Sequence, residues 1–161
     1  MLIKTSDFIA DFLVKKKITH IFGVTGGGAM HLNNSFGINK SINFIYTHHE
    51  QSAAMAADAY FREKRIPAAV NVTSGPGGTN AITGVIGAWI DSIPMLVISG
   101  QVPTNQLINQ TKTRQIGVQE ANIIEIVKSF TKYSVLIKDS KLLYSVSVIL
   151  PPLVVANSCT L

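Results

Sequence analysis

One acidic side chain heads a run of small apolar residues: Thr47-His48-His49-Glu50-Gln51-Ser52-Ala53-Ala54-Met55-Ala56-Ala57. A carboxylate entering such a helix has few polar neighbours in sequence, and burying it is unfavourable unless something pairs with it. The simplest account is a first-turn acid favoured by the helix dipole by about 0.3–1 kcal/mol. Glu50 differs from that case in its helix face, because Ala53, Ala54, Ala57 and Tyr60 follow at i+3, i+4, i+7 and i+10. Small residues on one face let another element approach closely, which would leave the carboxylate at a crowded junction.

Two glycine-rich stretches, Thr25-Gly26-Gly27-Gly28 and Ser74-Gly75-Pro76-Gly77-Gly78-Thr79-Asn80, are the next candidates. The second has the look of a phosphate cradle at a helix N-terminus. It lacks the Gly-Lys-Ser/Thr ending that neutralises phosphate charge, and no Gly-x-Gly-x-x-Gly fingerprint stands in either stretch. A strand-to-helix turn with positive φ is the reading that spacing favours. Backbone brought close to a flat ligand is the next best. His20, His31, His48 and His49 do not make metal-site spacing with Asp or Glu, so no metal ligation by this chain alone is expected. No Gly-x-Ser-x-Gly elbow supports a serine hydrolase.

The elements that must position these groups alternate. Phe8, Ile9, Phe12 and Leu13 predict an amphipathic helix over 5–16, with Ser6-Asp7 as its cap. Short apolar runs predict strands at 20–24, 42–46, 68–73, 95–99 and 133–137, the last being the final strand expected. Helices are predicted at 29–36, from Glu50 to about Lys64, from Thr79 to Ile90 and from Gln119 to Val127, with a polar loop over 103–118. The strand runs are continuously apolar, which marks a parallel sheet covered on both faces. The fold class is therefore α/β, a three-layer sandwich with a central parallel sheet flanked by helices. Ligands in such sheets bind beyond the carboxyl ends of the strands. The two glycine stretches and His49-Glu50 all follow strand ends, so they are expected to converge on one edge.

At 161 residues, 47% apolar and 14% charged, the chain suits one heavily buried domain. The net charge of +5 is scattered, Lys15-Lys16-Lys17 being the only basic run, and no basic stripe with stacking aromatics supports nucleic-acid binding. A lone cysteine, Cys159, rules out an internal disulfide and suits a reducing compartment; with no signal pattern at the start, a cytoplasmic location is expected. Residues 142–161 carry no charge, but Pro151-Pro152 make them a poor membrane span.

Four segments in order carry a family resemblance: Phe22-Gly23-Val24-Thr25-Gly26-Gly27, His49 to Tyr60, Val72 to Asn80, and Asp91-Ser92-Ile93-Pro94-Met95-Leu96. They resemble the N-terminal pyrimidine-binding domain of thiamine diphosphate enzymes, of the acetolactate synthase type, from about Lys4 to Lys138. The resemblance implies the thiamine diphosphate-binding fold and a role in 2-keto acid decarboxylation and carboligation, within branched-chain amino acid biosynthesis. It implies that Glu50 hydrogen-bonds N1′ of the cofactor's aminopyrimidine. Gly26, Thr73, Gly75, Pro76 and Asn80 would shape the pyrimidine pocket, and Gln119 would lie near the reacting carbon.

Thr25 stands where the family usually has proline. The family's Gly-Asp-Gly…Asn motif, which holds Mg²⁺ and the diphosphate, has no counterpart here. The chain is thus expected to bind thiamine diphosphate by its pyrimidine end only and to be inactive alone. Mg²⁺ would come from a missing domain or a partner chain. Residues 1–138 are expected to form the domain, and 139–161 an atypical uncharged tail of a truncated or frame-shifted product. The expected partners are a diphosphate-binding domain of the same family or a second copy, with a 2-keto acid as substrate of the complete enzyme and neither nucleic acid nor membrane. A pyrimidine-binding subunit of a split keto-acid decarboxylase, or a non-catalytic interaction module, are the alternatives.

Overall fold

The computed structural model describes residues 3–108 and 112–139, and the backbone of 153–158. In chain order the elements are α1 (Thr5–Lys15), β1 (His20–Gly23), α2 (Met30–Ile38), β2 (Asn43–Tyr46), α3 (Glu50–Lys64), β3 (Ala69–Val72) and α4 (Pro76–Asn80). There follow α5 (Ile82–Ile90), β4 (Leu96–Gln101), α6 (Ile123–Val127), β5 (Tyr133–Ile137) and β6 (Leu153–Ser158). The strands form one parallel sheet in the order β2-β1-β3-β4-β6-β5. The chain leaves β1 toward β2 and returns on the other side of β1 to β3. That reversal is the topological switch point where open α/β sheets open a crevice.

Alternation along the strands divides the core. Phe22, Val70, Val72 and Val97 face a layer made by α3, α5 and α6, where Ala53, Ala54, Ala57, Val85, Ala88, Ile123 and Val127 are buried. Their neighbours Ile21, Ala69, Leu96, Ile98 and Ile137 face α1 and α2, with Ile9, Leu13, Leu32 and Phe36. Burying each such large side chain stabilises the fold by about 1.5–3 kcal/mol. The three-layer sandwich expected from the continuous apolar runs is the fold observed.

Several boundaries depart from the sequence pattern. Lys4, not Ser6 or Asp7, is the N-cap of α1, and it makes no side-chain cap. Ser6 is instead buried against α2: the Ser35 hydroxyl donates to Asp7 Oδ1 at 2.6 Å and lies 2.8 Å from the Ser6 hydroxyl. A tertiary contact has taken the groups that a local cap would use. The helix expected from Thr79 to Ile90 is two helices, α4 and α5, which meet at Ala81. The helix expected from Gln119 starts only at Ile123, because Gln119 has φ 55 and Asn122 is the N-cap. The sheet also continues past Lys138: β6 lies between β4 and β5, from a segment in which no strand was expected.

The alanine face of α3 is used as its composition suggests. A Cβ on Gly84 of α5 would lie 2.5 Å from the Ala54 Cβ, whereas one on Gly87 would meet nothing within 4 Å. Gly84→Ala is therefore expected to lose about 1–3 kcal/mol by overpacking. Gly87→Ala should gain about 0.5–1 kcal/mol from helix propensity. Urea unfolding midpoints of the two variants check this, and equal midpoints would contradict the close α3–α5 approach.

Candidate functional site

Strand β2 delivers Glu50 through a short, hydrogen-bonded turn. The Thr47 amide donates to the Gly23 carbonyl at 2.9 Å, and its hydroxyl donates to the His49 carbonyl at 3.0 Å. His49 is the N-cap of α3 with extended backbone (φ −154, ψ 144), and its Nδ1 accepts the Gln51 amide at 3.1 Å. Accepting at Nδ1 requires that nitrogen to be unprotonated. Glu50 then stands at the first helical position and is 8% exposed. Asn80 at the end of α4 donates from Nδ2 to its Oε2 at 3.0 Å. Among the described residues nothing donates to Oε1, and a Cβ on Gly77 would lie 3.5 Å from it.

The glycine stretches pack against Thr73 at the end of β3. The Gly28 amide donates to Thr73 Oγ1 at 3.0 Å. A Cβ on Gly26 would stand 2.4 Å from the Thr73 Cβ, and one on Gly77 would stand 2.6 Å from the Thr73 Cγ2. Gly75 has φ 58, a region that favours glycine, and a Cβ there would lie 1.9 Å from the Gln119 carbonyl oxygen. The positive φ expected of the second stretch is found at Gly75, and Gly26 and Gly77 approach the Thr73 side chain closely.

Beyond the ends of β1, β3 and β4 lies an open cleft of about 640 Å³, lined by Gly26, His31, Thr73, Gln101 and Gln119 among others. Of the expected site residues, Gly26, Thr73 and Gln119 border this cleft. Glu50 and Asn80 are joined to each other outside that lining; Gly75 backs Gln119, and Pro76 opens α4. The expected convergence on one sheet edge is observed: Thr73 meets Gly26 and Gly77, and Gly77 stands beside Glu50.

Sequence reading missed Gln101, whose Nε2 donates to the Ala121 carbonyl at 3.0 Å, and Glu120, which accepts two backbone amides. It also missed Asn71, fully buried on β3, which donates to Asn33 Oδ1 at 2.6 Å. A polar residue inside an otherwise buried strand was the available signal for Gln101 and Asn71. Among the described residues no group of three or more His, Cys, Asp or Glu is placed to hold a metal ion, and no helix is long and apolar enough to cross a membrane.

Residues 3–126 match the family described as thiamine pyrophosphate enzyme, N-terminal TPP binding domain. The chain belongs to this family. It is similar to the mitochondrial acetolactate synthase of Schizosaccharomyces pombe, with 38% identity over 80% of this chain and 18% of that protein. It is 39% identical to the acetolactate synthase large subunit of Buchnera aphidicola from Acyrthosiphon pisum, over 84% of this chain and 23% of the relative. Against the chloroplastic acetolactate synthase of Arabidopsis thaliana the identity is 33%, over 84% of this chain and 19% of the relative. The chain spans about a fifth of the length of the curated relatives it matches. It is a thiamine diphosphate-binding domain of the acetolactate synthase type.

Thr73 holds the β1 loop by its hydroxyl, and that contact can be isolated. Thr73→Val keeps the shape but leaves the Gly28 amide unpaired, with an expected loss of about 1–3 kcal/mol. Thr73→Ser retains the acceptor and should stay closer to the parent. Denaturant unfolding of the two proteins measures the difference, and a valine variant as stable as the serine one would contradict it.

Proposed function

We propose that this domain holds the aminopyrimidine of thiamine diphosphate through Glu50, as part of an acetolactate synthase-like enzyme acting on 2-keto acids. The observation that carries the reading is the Glu50 carboxylate: buried, anchored at Oε2 by Asn80, with Oε1 left without a described donor. An acceptor without a described donor, on a carboxylate already fixed at its other oxygen, suits a ligand that brings its own N–H, since hydrogen bonds to a charged group are the strong ones. Gly77 also puts no side chain beside Oε1, where a Cβ would lie 3.5 Å away.

Each residue then has a distinct task. Glu50 would accept and share a proton at its Oε1, while Asn80 fixes the carboxylate's orientation. Gly26, Thr73, Gly75 and Pro76 would form the pocket wall, and Gln119, at the open cleft, would face the reacting substrate. When bound, the cofactor supplies the electron sink that 2-keto acid decarboxylation requires. Its diphosphate and Mg²⁺ would be held by another domain or a partner chain of the same family. The exposed Met55, Trp89 and Ile90 on α3 and α5 are apolar surface suited to such a partner. A cytoplasmic setting belongs to the same reading and rests on the lone Cys159.

Calorimetric titration with thiamine diphosphate and with unphosphorylated thiamine tests this. The wild-type chain should bind both with similar affinity, because only the pyrimidine end is recognised. Glu50→Gln should weaken both by about 10–100-fold, the range for losing one hydrogen bond to a charged group. Unchanged affinity in Glu50→Gln would overturn the role of Glu50. Much tighter binding of the diphosphate would overturn recognition by the pyrimidine end alone. With pyruvate, thiamine diphosphate and Mg²⁺, the chain alone should form no acetolactate.

A further inference from the structure

We propose that Glu120 is a positioning residue whose carboxylate fixes the backbone of Gln119 at the cleft. Gln119 is not a glycine, yet it has φ 55 and is exposed rather than packed into the core. Such a conformation persists only where the surroundings over-determine it. The surroundings here are specific. Glu120 Oε1 accepts the Ile108 amide at 2.5 Å, and Oε2 accepts the Ile116 amide at 3.3 Å. One carboxylate thus joins two stretches of chain, 12 and 4 residues before it.

Neighbouring contacts close the frame. The Gly117 amide donates to the Gln106 carbonyl at 3.0 Å, and the Glu120 amide donates to the Gly117 carbonyl at 3.3 Å. On the far side Gln101 donates to the Ala121 carbonyl and accepts the Val102 amide, both at 3.0 Å. Behind Gln119 the bare backbone of Gly75 fills the space where any side chain would collide. None of these bonds adds apolar burial to the core. What they share is the placement of one exposed amide side chain, Gln119, on the wall of the cleft.

A carboxylate suits this position better than an amide. Both of its oxygens accept, whereas a glutamine would turn an NH₂ group toward one of the two backbone N–H groups. Glu120→Gln should therefore keep one tie and lose the other, and Glu120→Ala should lose both. The consequence for binding rests on the proposed thiamine diphosphate site; the consequence for the backbone of Gln119 does not.

The test uses the full chain and two independent readouts. The first is solution NMR. In the wild type, Gln119 should show the strong intraresidue HN–Hα NOE of a positive φ, and the Ile108 and Ile116 amides should be protected from exchange. Glu120→Ala should weaken that NOE and speed exchange of both amides by about tenfold or more, while Glu120→Gln should expose only one of them. The second is a double-mutant cycle on thiamine diphosphate affinity. Glu120→Ala should weaken binding about tenfold in the wild type but less than about twofold in a Gln119→Ala background, because it acts through Gln119.

A Glu120→Ala chain that keeps the NOE and both protected amides would overturn the proposal. So would an equal loss of affinity in both backgrounds, which would mark Glu120 as structural only. If the wild type binds no cofactor, the proposed function fails, and the NMR result alone decides the role of Glu120.

Discussion

Close contact at Thr73 is the constraint on which the rest of the structure depends. Its hydroxyl accepts the Gly28 amide, its methyl faces Gly77, its Cβ lies against Gly26, and its carbonyl is reached by the Ser99 hydroxyl at 3.4 Å. The loop after β1 and the start of α4 therefore meet on a single small side chain. Only glycines permit this spacing, because every Cβ that could be added there falls well inside van der Waals contact. The switch point of the sheet is thus a packed junction, and both the cleft and Glu50 take their positions from it.

Glu50 shows how a costly group is kept in place. A carboxylate that is nearly buried must recover its lost hydration from fixed dipoles or hydrogen bonds. The first turn of α3 supplies one contribution through its amides, and Asn80 supplies a directed bond. His49 satisfies the Gln51 amide as the helix cap, so Glu50 is not needed for capping. The side chain is held by two elements while its second oxygen is left unfilled among the described residues.

Much of the fold was legible because the strands are continuously apolar and the helices periodic. Val70 and Val72 with Asn71, or Leu96 to Ile98, read as doubly covered strands, and they are fully or nearly buried. What was not legible depends on distant partners. Ser6 looked like a cap because a helix start offers it local amides, but Ser35, 29 residues away, claims it. Gln119 sits in a helix-compatible stretch yet has a left-handed φ, against the bare backbone of Gly75, which lies 44 residues earlier in the chain. In the candidate site, Glu50 and Asn80 were singled out by the motifs, and the structure joins them by a hydrogen bond. Gln101 and Glu120 were not, because their partners are backbone groups 20, 12 and 4 residues away, which leave no mark on composition.

Strand β6 connects the uncharged stretch of the sequence to this frame. Strand β4 is buried along its whole length, and one edge pairs with β3. Its other edge would present unpaired amides and carbonyls to an apolar interior, which is unfavourable for each group. β6 supplies the missing ladder, with Val97 opposite Val154 and, at the far end, Gln101 opposite Ser158. A strand in that position has to be uncharged because helices cover both faces of the sheet. Leu153–Ser158 carries no charged residue, which is the composition an inner strand requires. Since the ladder ends at Gln101, which holds the Ala121 carbonyl and so the segment following Gln119, the strand's register reaches the wall of the cleft.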